Sequence, residues 1–214
     1  MYETQIDQMI NEPVELLSHQ AGNLLGREGF TSTHRIIPNF FSGADEMRKY
    51  FDAVFANPYS QSATGQIWEL WYVPETYNLL RTLPQKVIPG DLIVSLMDAL
   101  RALNLGDPNW PVMSMYLSGM KQEVHNDAAA GKFAYVFSLT LDDRRSIGGE
   151  TRIWKPNSMI LGNRPNAGQG FFDAIPPRFG QLLLFNDQCP HSVVMMEGAS
   201  TPADARVVLN GHIR

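Results

Sequence analysis

Apolar residues along the chain recur at two periods, a helical one before about residue 110 and a strand-like one after it. Val14, Leu16, Leu17, Leu24 and Leu25 are the apolar positions of a helical pattern that opens at Pro13, where a missing N–H does no harm. A short extended segment, His34 to Asn39, leads into Phe40 and Phe41. Ser42 then starts a second helix, with Asp45 three residues on as a capping-box partner and Met47, Tyr50, Phe51, Val54 and Phe55 on one face. Ile67 to Val73 reads as a strand. A third helix follows Pro89, Gly90 and Asp91, with Leu92, Ile93, Leu96, Met97, Leu100 and Leu103 at helical spacing.

Beyond residue 111 the apolar runs are short and β-prone: Val112 to Leu117, Phe133 to Leu141, Thr151 to Trp154, Gln181 to Phe185, Ser192 to Met196 and Arg206 to Asn210. Turn residues separate them, among them Gly148-Gly149, Pro156-Asn157, Pro176-Pro177, Pro190 and Gly198. Helices first and many short strands afterwards predict an α+β fold, a strand-built barrel or sandwich backed by helices. The expected organisation is one domain over 1–214, with 1–110 mainly helical support and 111–214 the β-core. Gly162 to Gly170 is a polar loop inside the strand region, too short and too mixed for an interdomain linker.

Composition narrows the functional classes. A chain of 214 residues buries about 70% of its unfolded surface. With 44% apolar and 18% charged residues it does not resemble a disordered chain. Lys+Arg of 17 against Asp+Glu of 22 leaves a net charge of −5 with no basic run, which argues against a nucleic-acid groove built on phosphate neutralisation. The single cysteine, Cys189, can build neither an internal disulfide nor a Cys-based zinc site and reads as a small buried filler. Apolar stretches such as Leu182 to Phe185 are far short of a membrane span, and Met1 to Ile10 lacks the pattern of a signal peptide. The expected setting is cytoplasmic, with no membrane partner.

His125-Asn126-Asp127 places an imidazole and a carboxylate two residues apart, on one face if the segment is extended. His191 follows 66 residues later, after Pro190. Two histidines and a carboxylate match the facial triad of non-haem Fe(II) oxygenases, which leaves open positions for other ligands. A histidine–carboxylate pair is also common in ordinary loops, so the surrounding motifs matter.

Tyr116-x-x-Gly119-x5-His125-x-Asp127, Gly148-Gly149-Glu150-Thr151, Gly180 to Phe185 and His191-Ser192-Val193 occur in order. Together with Arg206, fifteen residues after His191, they resemble the prolyl-hydroxylase branch of the Fe(II)/2-oxoglutarate-dependent dioxygenases. The resemblance spans 116–206, and Asn39-Phe40-Phe41-Ser42 extends it only loosely. It implies a double-stranded β-helix, the jelly-roll or cupin-like core, with N-terminal and supporting helices. It also implies Fe(II) held by His125, Asp127 and His191, and 2-oxoglutarate as co-substrate, its distal carboxylate on Arg206 with Tyr116 adding a phenolic O–H. O2 is consumed, ascorbate is a stimulant, and succinate and CO2 are released. Since related halogenases lack the carboxylate ligand, Asp127 points to hydroxylation, desaturation or cyclisation.

Two departures stand out. Gln122 occupies the position where many prolyl hydroxylases carry a second tyrosine, and Arg206 replaces the branch's usual lysine at a longer spacing. Gly148 and Gly149 are expected to act through backbone conformation or close approach. Trp71, Arg144, Arg152 and Trp154 are the candidate substrate residues, although Arg144 also suits a solvated turn after Asp142 and Asp143. Aromatic residues with arginines suit a small molecule such as an amino acid or a natural-product intermediate. A protein or peptide hydroxylase and a non-catalytic metal- or ligand-binding barrel remain as alternatives, and the oligomeric state is not legible.

Overall fold

Alternate side chains of a β-strand face opposite ways, and in this chain both faces of the central strands are apolar or site-bearing. The computed structural model describes residues 34–56, 67–127, 130–154, 159–160, 164–165, 171–186 and 189–214. The helical pattern opening at Pro13, most of Gly162 to Gly170 and the Pro156-Asn157 turn lie outside them. The strands are β1 (His34–Ile37), β2 (Glu69–Val73), β3 (Tyr77–Thr82), β4 (Val112–Tyr116), β5 (Lys121–His125), β6 (Phe133–Ser138) and β7 (Thr151–Trp154). They continue with β8 (Met159–Ile160), β9 (Arg164–Pro165), β10 (Phe171–Ile175), β11 (Leu182–Asn186), β12 (His191–Val193) and β13 (Arg206–Ile213). The helices are α1 (Ala44–Ala56) and α2 (Gly90–Arg101).

Hydrogen bonding runs in the order β1-β11-β6-β13-β4-β3-β5-β12-β7-β10, with β2 on β3 and a separate β8-β9 pair. All pairings are antiparallel. Leaving aside β8 and β9, the strands from β4 onward divide between the two ends of this path. β4, β6, β11 and β13 lie at one end, and β5, β7, β10 and β12 at the other. The sheet curls so that the two halves face one another: Arg206 and Val208 of β13 line the same cavity as His191 and Val193 of β12.

The outward residues of the first half build the main core. Met113, Met115, Phe133, Tyr135, Phe137, Leu182, Leu184, Val207 and Leu209 pack with Met47 and Phe51 of α1 and with Ile93, Leu96, Met97 and Leu100 of α2. The sequence periods predict these helix faces; Tyr50 is the exception, 42% exposed at the edge of its stripe. Phe40 and Phe41 meet Phe137 edge-on at centroid distances of 6.4 and 6.1 Å, closing the junction between β1 and α1. Arg48 of α1 is buried but satisfied, its Nη1 donating to the Leu139 carbonyl at 2.9 Å and its Nε to Asp52 at 2.9 Å.

The described part of 1–110 contains more strand than its periodicity suggests. Tyr77–Thr82, unmarked in the sequence, inserts between β4 and β5 and pairs with both. Its strand character follows from those pairings, since a six-residue mixed segment carries little period of its own. β5 and β10 are likewise set by their neighbours. No helix among the described residues is long and apolar enough to cross a membrane.

Candidate metal centre

Antiparallel pairing of β12 with β5 sets His191 directly opposite His125. The two imidazoles come within 4.2 Å, centroid to centroid. Asp127, just past the end of β5, completes the group: its Oδ2 lies 3.4 Å from His191 Nε2 and its Oδ1 3.7 Å from His125 Nε2. Each ring is oriented from behind. His125 Nδ1 lies 2.8 Å from the Glu123 carbonyl and His191 Nδ1 3.0 Å from the Cys189 carbonyl, so each Nδ1–H donates to backbone and each Nε2 lone pair faces the cavity.

Burial disfavours the imidazolium and lowers both histidine pKa values, that of His125 to about 3, where His191 adds to the effect. Neutral imidazole is the form that ligates metal. The donor atoms of the three side chains all lie within 4.8 Å of one another. Cis ligands on an ion with bonds of about 2.1 Å sit about 3 Å apart, so small side-chain adjustments close this set around one ion. Two imidazoles and one hard carboxylate suit Fe(II). Gln122 joins the group, its amide nitrogen 2.9 Å from His125 Nε2 and its oxygen accepting from the Tyr116 hydroxyl at 3.0 Å.

Deeper in the same cavity, whose volume is about 220 Å³, stands Arg206. It is 2% exposed, opposite Tyr116 in the β13–β4 register, with its guanidinium carbon 4.8 Å from the Tyr116 ring centre. Its Nη2 donates to Thr151 Oγ1 at 3.1 Å, while its Nε is buried without a partner. A buried guanidinium with an unused donor fits a carboxylate ligand. Burial opposes the charge, yet arginine remains protonated; the same burial pushes the Tyr116 phenol up and keeps it neutral.

Gly148 and Gly149 combine both expected roles. Their φ angles are +84° and +80°, and a Cβ on Gly148 would lie 2.1 Å from the Met195 carbonyl oxygen. A Cβ on Gly149 would meet Met196 Sδ at 2.6 Å and Arg206 Cδ at 3.2 Å, so Gly149 makes room for the arginine.

The four candidate substrate residues separate. Trp71 lines the cavity. Arg144 turns to the loop behind it, its Nη2 donating to the Gly148 carbonyl at 3.0 Å. Thr151 and Ile153 are the buried positions of β7, and the intervening Arg152 and Trp154 project to the opposite face. There Trp154 Nε1 donates to Ser192 Oγ at 2.8 Å. In their place the structure brings in Tyr77 and Arg81 from β3. Tyr77 meets the His125 ring edge-on at 5.3 Å. The alternation Tyr77-x-Leu79-x-Arg81 would mark one face once the segment is known to be a strand.

Neither a family model nor a curated protein matches this chain by sequence. Solved structures do. A prolyl hydroxylase from Trichoplax adhaerens, in complex with a peptide fragment of the hypoxia-inducible factor oxygen degradation domain, is 16% identical over 92% of this chain and 88% of that one, with a TM-score of 0.59. A Pseudomonas putida prolyl-4-hydroxylase is 18% identical over 92% and 98%, with a TM-score of 0.57. The non-haem alpha-ketoglutarate-dependent epimerase SnoN from nogalamycin biosynthesis is 14% identical over 92% and 80%, also at 0.57. The chain has the jelly-roll fold of these 2-oxoglutarate-dependent oxygenases.

Proposed function

We propose that this chain is an Fe(II)- and 2-oxoglutarate-dependent oxygenase that hydroxylates an unactivated C–H bond of a small molecule, such as an amino acid or natural-product intermediate. One observation carries the reading: His125, Asp127 and His191 converge at one end of a cavity whose deeper end holds a buried arginine with unused donor capacity. The reaction consumes the substrate, O2 and 2-oxoglutarate, and releases hydroxylated product, succinate and CO2. One oxygen atom enters the product and the other the new succinate carboxylate.

Iron would supply the activation of dioxygen and the oxidising power. The chain supplies everything else. His125, Asp127 and His191 hold the ion on one side and leave the cavity side free. Arg206 takes the distal carboxylate of 2-oxoglutarate, with Tyr116 supporting it from below and Thr151 fixing one nitrogen. Val136, Phe185 and Val208 line the interior and keep bulk water from the reacting centre. Retention of Asp127 as the carboxylate ligand supports hydroxylation, or a desaturation or cyclisation with the same first step, rather than halogenation.

Among the similar structures, one holds a peptide fragment and another is an epimerase of nogalamycin biosynthesis. A specific feature favours the peptide reading as the second choice: among the described residues β2 pairs with β3 alone, and its Leu70, Tyr72 and Val73 are 60%, 61% and 47% exposed. The test is a panel of free amino acids and short peptides incubated with protein, Fe(II), 2-oxoglutarate and O2. Succinate and a product heavier by one oxygen are measured together. Oxygen-dependent succinate with a +16 product supports the oxygenase. If iron-loaded protein binds 2-oxoglutarate but never releases succinate under O2, the chain is a binding barrel instead.

A further inference from the structure

The mouth of the cavity carries a second cation that the metal and co-substrate do not use. Arg81 of β3 lies face-on to Trp71 of β2, its guanidinium carbon 3.9 Å from the ring centre. Both residues line the cavity that holds His125, Asp127 and His191. Arg81 is set apart from Arg206 by depth: it is half-buried and backed by a 46% exposed tryptophan, whereas Arg206 is 2% exposed.

Arg81 has no carboxylate within ion-pair distance among the described residues. Its Nε is buried without a hydrogen-bond partner. None of the ion pairs among the described residues includes it. Asp127, the carboxylate among the described lining residues, directs its oxygens at the two imidazoles. A guanidinium with one face covered by an indole keeps its in-plane N–H groups for a planar acceptor and is held in one orientation. A carboxylate matches that fork with two parallel hydrogen bonds.

Charge balance points the same way. A divalent ion and the doubly charged 2-oxoglutarate cancel, and Arg206 offsets Asp127. Among the described lining residues Arg81 then leaves one positive charge over, which a monoanion neutralises; Glu69, its exposed cross-strand neighbour on β2, lies outside that lining and forms no ion pair with it.

We propose that Arg81, stacked on Trp71, receives a carboxylate of the substrate to be oxidised, so that the site selects small carboxylic acids. The inference rests on the oxygenase reading and names the substrate class of that site. Trp71 contributes an apolar wall beside the anion, and Tyr77, between Trp71 and His125, borders the path from the carboxylate towards the metal ligands.

The test reads binding without turnover. Protein loaded with Mn(II) and saturating 2-oxoglutarate is titrated calorimetrically with small acids of graded size, from acetate to indole-3-acetate, each paired with its primary amide. The expected result is at least one acid that binds tenfold or more tighter than its amide. That preference falls tenfold or more in Arg81→Gln, is partly kept in Arg81→Lys, and survives in Arg206→Lys. Binding of 2-oxoglutarate and Mn(II) to Arg81→Gln shows that the variant is folded and that the co-substrate site is separate. Acids and amides that bind alike, or a preference that Arg81→Gln leaves intact, overturn the proposal. If Arg81→Gln instead weakens 2-oxoglutarate, Arg81 belongs to the co-substrate and the proposal is again overturned. Failure of the unmutated protein to bind 2-oxoglutarate strikes the oxygenase reading itself, a distinct outcome. An acidic peptide that binds where every small acid fails assigns Arg81 to a protein substrate and rejects the small-acid class.

Discussion

Arg206 and Tyr116 are cross-strand partners in the β13–β4 pair, and the guanidinium lies 4.8 Å over the phenol ring. The pairing aims a permanent charge into the barrel from a site where water is excluded. The side chain is covered by the phenol ring on one face and bonded to Thr151 through Nη2, while its Nε is buried without a partner.

Loss of that charge should act on the co-substrate alone. A charge-assisted pair in a shielded site is worth about 1.5–3 kcal/mol, so Arg206→Ala is expected to raise the KM for 2-oxoglutarate about 10- to 150-fold. Arg206→Lys keeps the charge without the fork and should fall between. Titration of 2-oxoglutarate at saturating Fe(II) measures both. An unchanged KM in the alanine variant would move the anchor elsewhere, with Arg214 and Lys155 next to be tried; Lys155 lies outside the described residues.

Asp127→Ala removes the hard ligand while touching little of the core, since Asp127 sits at the cavity rim with its side chain 27% exposed. Turnover should vanish and the melting temperature of the metal-free protein should stay close to that of the unmutated chain. Chelators should silence the unmutated enzyme, with Fe(II) restoring activity and Zn(II) occupying the site without redox chemistry. Near-normal turnover in Asp127→Ala would sink the ligand assignment.

Gly149→Ala tests the link between the Gly148-Gly149 turn and the co-substrate. The added methyl group must push Met196 or Arg206, and the +80° φ adds backbone strain. The expected outcome is a raised KM for 2-oxoglutarate together with a lowered melting temperature, while Mn(II) affinity is retained. A stability loss with an unchanged KM would show that Met196 alone gives way.

The outward face of the main sheet should dominate stability. Leu209 is fully buried against the helices, so Leu209→Ala is expected to cost about 2–5 kcal/mol. Tyr72→Ser, at a position 61% exposed, should stay within about 0.5 kcal/mol. Urea unfolding of both variants compares them directly.

Much of this architecture is local in origin and readable from the chain. The stripes of α1 and α2, the short strands after residue 111 and the His125-x-Asp127 pair all follow from periods and spacings a few residues long. The grouping of His125, Asp127 and His191 is legible because ligand chemistry restricts residue types tightly, and the ordered motifs around the pair point to His191; the structure brings the three side chains together. What a strand pairs with is not written locally. Only the curled sheet sets His191 against His125, and only the insertion of β3 between β4 and β5 carries Tyr77 and Arg81 into the cavity. Period two says that Arg152 and Trp154 share a face; it does not say which face is inside. That choice is made by burial of Ile153 and Thr151 against the opposite sheet half, a long-range packing event that no window of sequence contains.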